Sequence, residues 1–165
     1  MGNMWKHNTL PREINPLMLS WMAGLFDGEG CCSIYKQKDK DHSRKFHYVI
    51  MAQVSNTNIG LLEPFLSNFG GKINVEKQPS SKIWTRKTCY QWRSHYQFAS
   101  NFLKKIFPFI HDETKKQKAK IVIEFVDSNI SGRWNHDWNK QDAFYEQIKK
   151  LGGRKGIEVL QCQKY

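Results

Sequence analysis

Two carboxylates and a run of lysines stand where helix electrostatics disfavour them. Asp27 and Glu29 close a segment patterned as a helix, with Asn15 as N-cap, Pro16 as first helical residue, and Met18, Trp21, Met22 and Leu25 as an apolar stripe. The backbone dipole is negative at that end, so a carboxylate there costs a few tenths to ~1 kcal/mol. Lys115, Lys116, Lys118 and Lys120 crowd the start of a second helical pattern, Thr114 to Val126, where cations are disfavoured for the mirror reason. Violations of a local rule concentrate at functional positions. A metal cation beside the acids and a phosphate beside the lysines would relieve both. Taken singly, Asp27-Gly28-Glu29-Gly30 also reads as a glycine-rich helix stop, and the lysine run as a solvated helix face.

The elements around these residues follow from periodicity. The first helix ends in the run Phe26 to Gly30, and two strand patterns follow, Cys31 to Lys38 and Phe46 to Asn56, around a polar loop. In the first strand Ser33, Tyr35 and Gln37 share one face and Ile34 the other. In the second, Ile50, Ala52 and Val54 alternate against His47, Met51 and Gln53. Ile59 to Phe69 is expected as one helix stopped by Gly70-Gly71. Strands over Lys72 to Gln78 and Lys87 to His95 come next, then helices over Tyr96 to Ile110 (interrupted at Pro108), Thr114 to Val126 and Gln141 to Leu151. Trp134 and Trp138 read as packing the last helix on the core, with stacking on nucleic acid as the other use of such rings. Helix, two strands, helix, two strands and further helices make a two-layer α+β design with one polar sheet face.

The chain has 165 residues and a formal charge of +11, the usual excess of proteins that neutralise phosphates. An apolar fraction of 39% argues for a folded domain rather than a disordered basic tail. Cys31, Cys32, Cys89 and Cys162 form no CxxC pair, so neither a disulfide framework nor a zinc site is expected. No secretory signal and no stretch of transmembrane length is read. The expectation is an intracellular protein, its compartment open, with no membrane partner.

The segment Met22-Ala23-Gly24-Leu25-Phe26-Asp27-Gly28-Glu29-Gly30 resembles the motif that names the LAGLIDADG homing endonucleases. Met22 stands in the first Leu place and Glu29 in the second acid place. The element order is similar to that family's αββαββα core with its saddle-shaped antiparallel sheet, here followed by C-terminal helices. Lys115-Lys116-Gln117-Lys118 resembles the lysine-rich start of a later family helix. The resemblance covers about residues 15 to 126 of a single domain spanning 1–165, with a helical extension over about 127–165. Ala23, Gly24 and Gly28 at helical spacing would admit a closely packed partner helix.

The resemblance implies a site-specific homing endonuclease that makes a staggered double-strand break in a long, roughly palindromic DNA site. A single motif copy implies a homodimer through the motif helices. It also implies Glu29, with backbone carbonyl near Gly28, as holder of Mg²⁺ (or another divalent cation such as Mn²⁺), Lys115 as active-site lysine with Lys116 as the alternative, and Asn56 as water-positioning residue. Asp27 would be a weaker acid candidate or a brace for the helix end. Glu29 stands where Asp is usual, Asn56 where Gln is more familiar, and Gly60 where a basic residue often falls. Base reading would come from Ser33, Tyr35, Gln37, His47, Gln53, Asn74, Glu76, Gln78, Lys87, Gln91 and Arg93. Lys116 and the two hairpin loops would meet the backbone. An RNA-splicing maturase and a non-cleaving DNA-binding regulator are the alternative uses of such a fold.

Overall fold

The first helix starts where its cap requires. Asn15 has extended backbone, its side chain accepts the Leu17 amide at 2.9 Å, and Pro16 presets the first helical φ. In the computed structural model, which describes residues 13–40, 43–75, 87–128, 131–132 and 135–152, helix α1 spans Pro16–Glu29 and closes on the two acids, as the sequence predicts. Strand β1 (Gly30–Lys38) follows with no loop between. A Cβ on Gly30 would lie 2.3 Å from the Phe26 ring and 2.7 Å from the Phe26 carbonyl oxygen. Only glycine permits so abrupt a change of direction.

Strands β2 (Phe46–Asn56), β3 (Lys72–Val75) and β4 (Tyr90–His95) complete an antiparallel sheet of order β1-β2-β4-β3. Side chains alternate as the sequence predicts. Cys32, Ile34, Ile50, Ala52, Val54 and Trp92 are buried beneath the helices, opposite the open face. The fourth strand starts at Tyr90 rather than Lys87, while Glu76, Gln78, the loop 79–86 and Trp134 lie outside the described residues. The expected helix Ile59 to Phe69 is split into a 3₁₀ turn, Ile59–Leu61, and helix α2 (Glu63–Phe69). Pro64 explains the break: it donates no hydrogen bond and is tolerated only in a first helical turn.

Helix α3 (Tyr96–Ile106) passes into a 3₁₀ turn at Phe107–Phe109, and α4 (Glu113–Asp127) follows. A two-residue pairing of β5 (Ser131–Gly132) with β6 (Asn135–His136) leads to α5 (Trp138–Gly152). Phe102 of α3 sits at the centre of the core, with Phe26, Phe65, Phe69 and Trp92 ring centroids 5.7, 5.6, 5.1 and 4.9 Å away. Among the described residues no helix is long and apolar enough to cross a membrane.

Helix α5 clamps the far end of the β1–β2 hairpin. Its Asp142 accepts Arg44 at 3.0 and 3.4 Å, and also the Tyr48 hydroxyl. The Lys36 ammonium lies 4.8 Å from the Phe46 ring centroid and 4.7 Å from that of Tyr145, and the Arg44 guanidinium 5.1 Å from that of Trp138. Trp138 thus serves packing, as the sequence suggested. Arg44, assigned with its loop to the DNA backbone, is instead turned toward α5. Burial pushes the Asp142 carboxyl up, but hydrogen bonds from Tyr48 and Arg44 and the charges of Arg44 and Lys36 outweigh it, so the net shift is downward. A carboxyl lowered on folding stabilises the fold above its unfolded value of about 3.9 and loses that contribution as pH falls through the lower folded value. Thermal melts are expected to show part of the acid-side loss of stability disappearing in Asp142→Asn, which starts from a lower plateau at neutral pH. An Asp142→Asn profile parallel to wild type down to pH 2 would refute the clamp.

Candidate functional site

The two local violations answer each other. The C-terminal end of α1 meets the N-terminal end of α4. Asp27 accepts the backbone amides of His111 at 2.8 Å and Asp112 at 3.4 Å, just ahead of α4. Asp112 is itself the N-cap of α4, accepting the Lys115 amide at 2.7 Å. Lys115 then reaches back, its Nζ donating to the Phe26 carbonyl at 3.0 Å and to the Asp27 carbonyl. Each charge is misplaced for its own helix and well placed for the other: the carboxylate faces a positive helix end, the ammonium a negative one. Asp27 is therefore a brace.

Glu29 has no such duty. It is exposed, and among the described residues it makes no hydrogen bond or ion pair. Lys115 occupies the Phe26 and Asp27 carbonyls, leaving those of Gly28 and Glu29 as last-turn acceptors that it does not take. Oxygen donors of this kind suit a hard divalent cation, which accepts one or two carboxylates and fills its shell with water or phosphate. Among the described residues no group of three His, Cys, Asp or Glu side chains is placed to hold a metal.

The outer face of α1 is unpartnered. A Cβ at Gly24 or Gly28 would meet nothing within 4 Å. Toward the helix start Leu17 is 78% exposed and Trp21 39%, and with Asn15, Met18 and Pro64 they line an open groove of about 470 Å³. Ala23, grouped with the two glycines on sequence spacing, is a correction: it is fully buried against its own core, with Leu19, Met22 and Phe26. The open stripe consists of Gly24 and Gly28 beside Ser20 and Trp21.

All eight of the strand candidates that fall in described strands share the open sheet face. The ladder register sets them in rows across the strands. Ser55, Gln91 and Asn74 form one, Cys31, Gln53, Arg93 and Lys72 the next, then Ser33, Met51 and His95, then Tyr35 and Val49, and finally Gln37 and His47. The first two rows lie at the end of the sheet where α1 delivers Glu29. Gln91 donates to the Ser55 hydroxyl at 3.0 Å, and the Gln53 Oε1 is buried without a hydrogen-bond partner among the described residues. His47 Nδ1 lies 3.2 Å from Asp39. Lys72 was missed because an edge-strand residue beside Gly71 shows its face only through its pairing with Arg93. Lys87 is exposed, ahead of β4.

The remaining assignments are distributed unevenly. Asn56 ends β2 at the active-site edge, but it alternates with the core side, and its Oδ1 accepts the Asn58 amide at 2.9 Å. Asn58 in turn accepts the Gly60 amide at 3.0 Å, so the segment after β2 is a pair of side-chain-capped turns. Gly60 supplies no basic group there. Lys115 reaches the end of α1, whereas the Lys116 ammonium lies 5.6 Å from the Phe107 ring centroid. Burial, more than any charge, pushes the neighbouring Cys32 thiol up to about 12, so it stays protonated and inert.

The model of the LAGLIDADG endonuclease family matches residues 22–121, a span that holds the motif helix, the sheet and the start of α4. The chain belongs to the LAGLIDADG endonuclease family. A search of curated protein sequences finds no match. Among solved structures, the homing endonuclease I-CvuI in complex with its target in the presence of calcium is 18% identical, with a TM-score of 0.65, covering 90% of this chain and 93% of that one. The archaeal intron-encoded homing endonuclease I-Vdi141I complexed with DNA is 16% identical, TM-score 0.64, with 84% and 86% covered. At such identities these likenesses establish the fold, and they agree with the four-stranded antiparallel sheet. In this LAGLIDADG chain the first motif acid, Asp27, is the bracing one. Asp27→Ala is expected to lower unfolding stability by about 1.5 kcal/mol, the low end for a charged hydrogen bond because the amides are exposed. Asp27→Asn should fall between the two; an unchanged urea midpoint in Asp27→Ala would remove the brace.

Proposed function

We propose that this protein is a homing endonuclease acting on double-stranded DNA as a two-fold dimer, cutting both strands of a long, roughly palindromic site with a stagger. The observation that carries the reading is Glu29, an exposed carboxylate without a partner among the described residues, at the end of an open small-residue helix face and beside a polar sheet face. Two copies of α1 meeting along Gly24 and Gly28 would bring the two Glu29 side chains together near the axis. Such carboxylates repel, and a divalent cation, Mg²⁺ or Mn²⁺, held by Glu29 and carbonyl near Gly28 removes the repulsion. When bound, the metal supplies an activated water and neutralises charge on the scissile phosphate.

The chain's own groups do the rest. Lys115, tethered to the last turn of α1, stands two residues from Glu29 and offsets negative charge developing on the phosphate. Its placement favours it over Lys116. Asn56 orients water through the amide group its turn leaves free. Ser33, Tyr35, Gln37, His47, Gln53, Asn74, Gln91 and Arg93 read base edges in the major groove, with Arg93 suited to guanine and the glutamines to adenine. Of the candidates beyond β3, Glu76 and Gln78 extend the same reading, while Lys87 and Lys116 meet phosphates.

The test is linearisation of a plasmid carrying a site selected from random DNA. Mg²⁺-dependent cutting with a staggered end is expected from the wild type, and none from Glu29→Gln, which should still bind the site in Ca²⁺. A Glu29→Gln protein that cuts would sink the assignment. Binding without cutting by the wild type would point to the regulator, and RNA-dependent splicing alone to the maturase.

A further inference from the structure

The open face of the sheet is not uniformly polar. Between the Gln53–Arg93 row and the Gln37–His47 row lies a band where Met51 and Val49 replace hydrogen-bonding groups. Val49 points to the open side yet is only 5% exposed, so its neighbours close over it. One neighbour is Tyr35, its partner across β1 and β2. Another is Tyr96, which stands at φ 46° where β4 ends against Met51. Tyr96 lies across β2, its hydroxyl donating to the Tyr48 carbonyl at 2.9 Å. Its polar tip is thereby used, and ring surface is presented. Met51 is half-buried in the adjacent row, opposite Ser33 on β1 and His95 on β4.

Apolar side chains in the major groove recognise one base feature, the C5-methyl of thymine. Rows on one face repeat every ~6.7 Å along a strand, close to two base-pair steps of ~3.4 Å. Met51 stands one row farther from Glu29 than Gln53. Resting on the endonuclease reading, we propose that Met51, beside the Tyr35–Val49 row on the open face, selects thymine through its methyl group at one position per half-site, about two base pairs farther from the cut than the base read by Gln53 and Arg93.

The experiment selects cleaved sites from a randomised duplex pool with Mg²⁺, then replaces each thymine by uracil, which removes only the methyl. One thymine per half-site is expected to be sensitive, with cleavage slowed about fourfold per methyl, the value for one buried CH₂ group. In Met51→Ala that thymine–uracil ratio should fall to about one, while Met51→Leu, which keeps the apolar surface, should preserve it. Melting curves of the variants confirm that they fold. Cleavage indifferent to uracil at every position, or a sensitive position whose ratio survives Met51→Ala, would overturn the inference and leave the endonuclease reading intact. A chain that enriches no DNA sequence would overturn both.

Discussion

The meeting of two helix ends is the constraint on which the site depends. Each end alone carries unpaired backbone groups and a charge of the wrong sign for its dipole. Set against each other, α1 and α4 exchange these liabilities: Asp27 serves the amides before α4, and Lys115 serves the carbonyls that end α1. The exchange fixes the lysine relative to the last turn of α1, two residues from Glu29. It also leaves Glu29 as the acid that nothing in the described chain neutralises. A site with one committed acid and one uncommitted acid is thereby built from a motif that contains both.

Much of this was legible in the sequence where the signal is local. Asn15 and Pro16 start α1 because a cap and a preset φ need only their neighbours. The alternation in β2 fixed the two faces of the sheet because one side is buried and the period is two. The helix expected over Ile59 to Phe69 is divided because Pro64 is tolerated only in a first helical turn, which the apolar spacing around it does not reveal. Ala23 was assigned to the outer face because small residues at helical spacing do not say which stripe meets the core. What stayed hidden is long-range. The spacing placed Lys115 at the start of a helix but could not show that its ammonium returns to residues 88 and 89 positions away. Nor could it show that Arg44 turns to Asp142, 98 positions on.

The Arg44–Asp142 pair also shapes what the hairpin offers. Lys36 and Arg44 are drawn to the aromatic rings and the carboxylate under α5, behind the reading face. Arg93 and Lys72 are paired in one row near Glu29, and Lys38, Lys40 and Lys45 are exposed at the hairpin end of the sheet. Cations thus stand at both ends of the sheet, with Met51 and Val49 between them on β2 and the ionisable pair His47 and Asp39 at the hairpin end. Under the proposed function, the exposed lysines at both ends would hold the DNA backbone while the rows between them meet base edges.

Gly30 makes the acid and the reading strand a single rigid lever. Glu29 is the last residue of α1 and Gly30 the first of β1, and the Phe26 ring and carbonyl leave no room for a side chain at the joint. In the proposed dimer each chain would therefore carry its own ruler. The angle at which two α1 helices cross would set the separation of the two cuts and the separation of the two reading surfaces together. A change in the helix contact could not alter the overhang while leaving the length of the recognised site untouched.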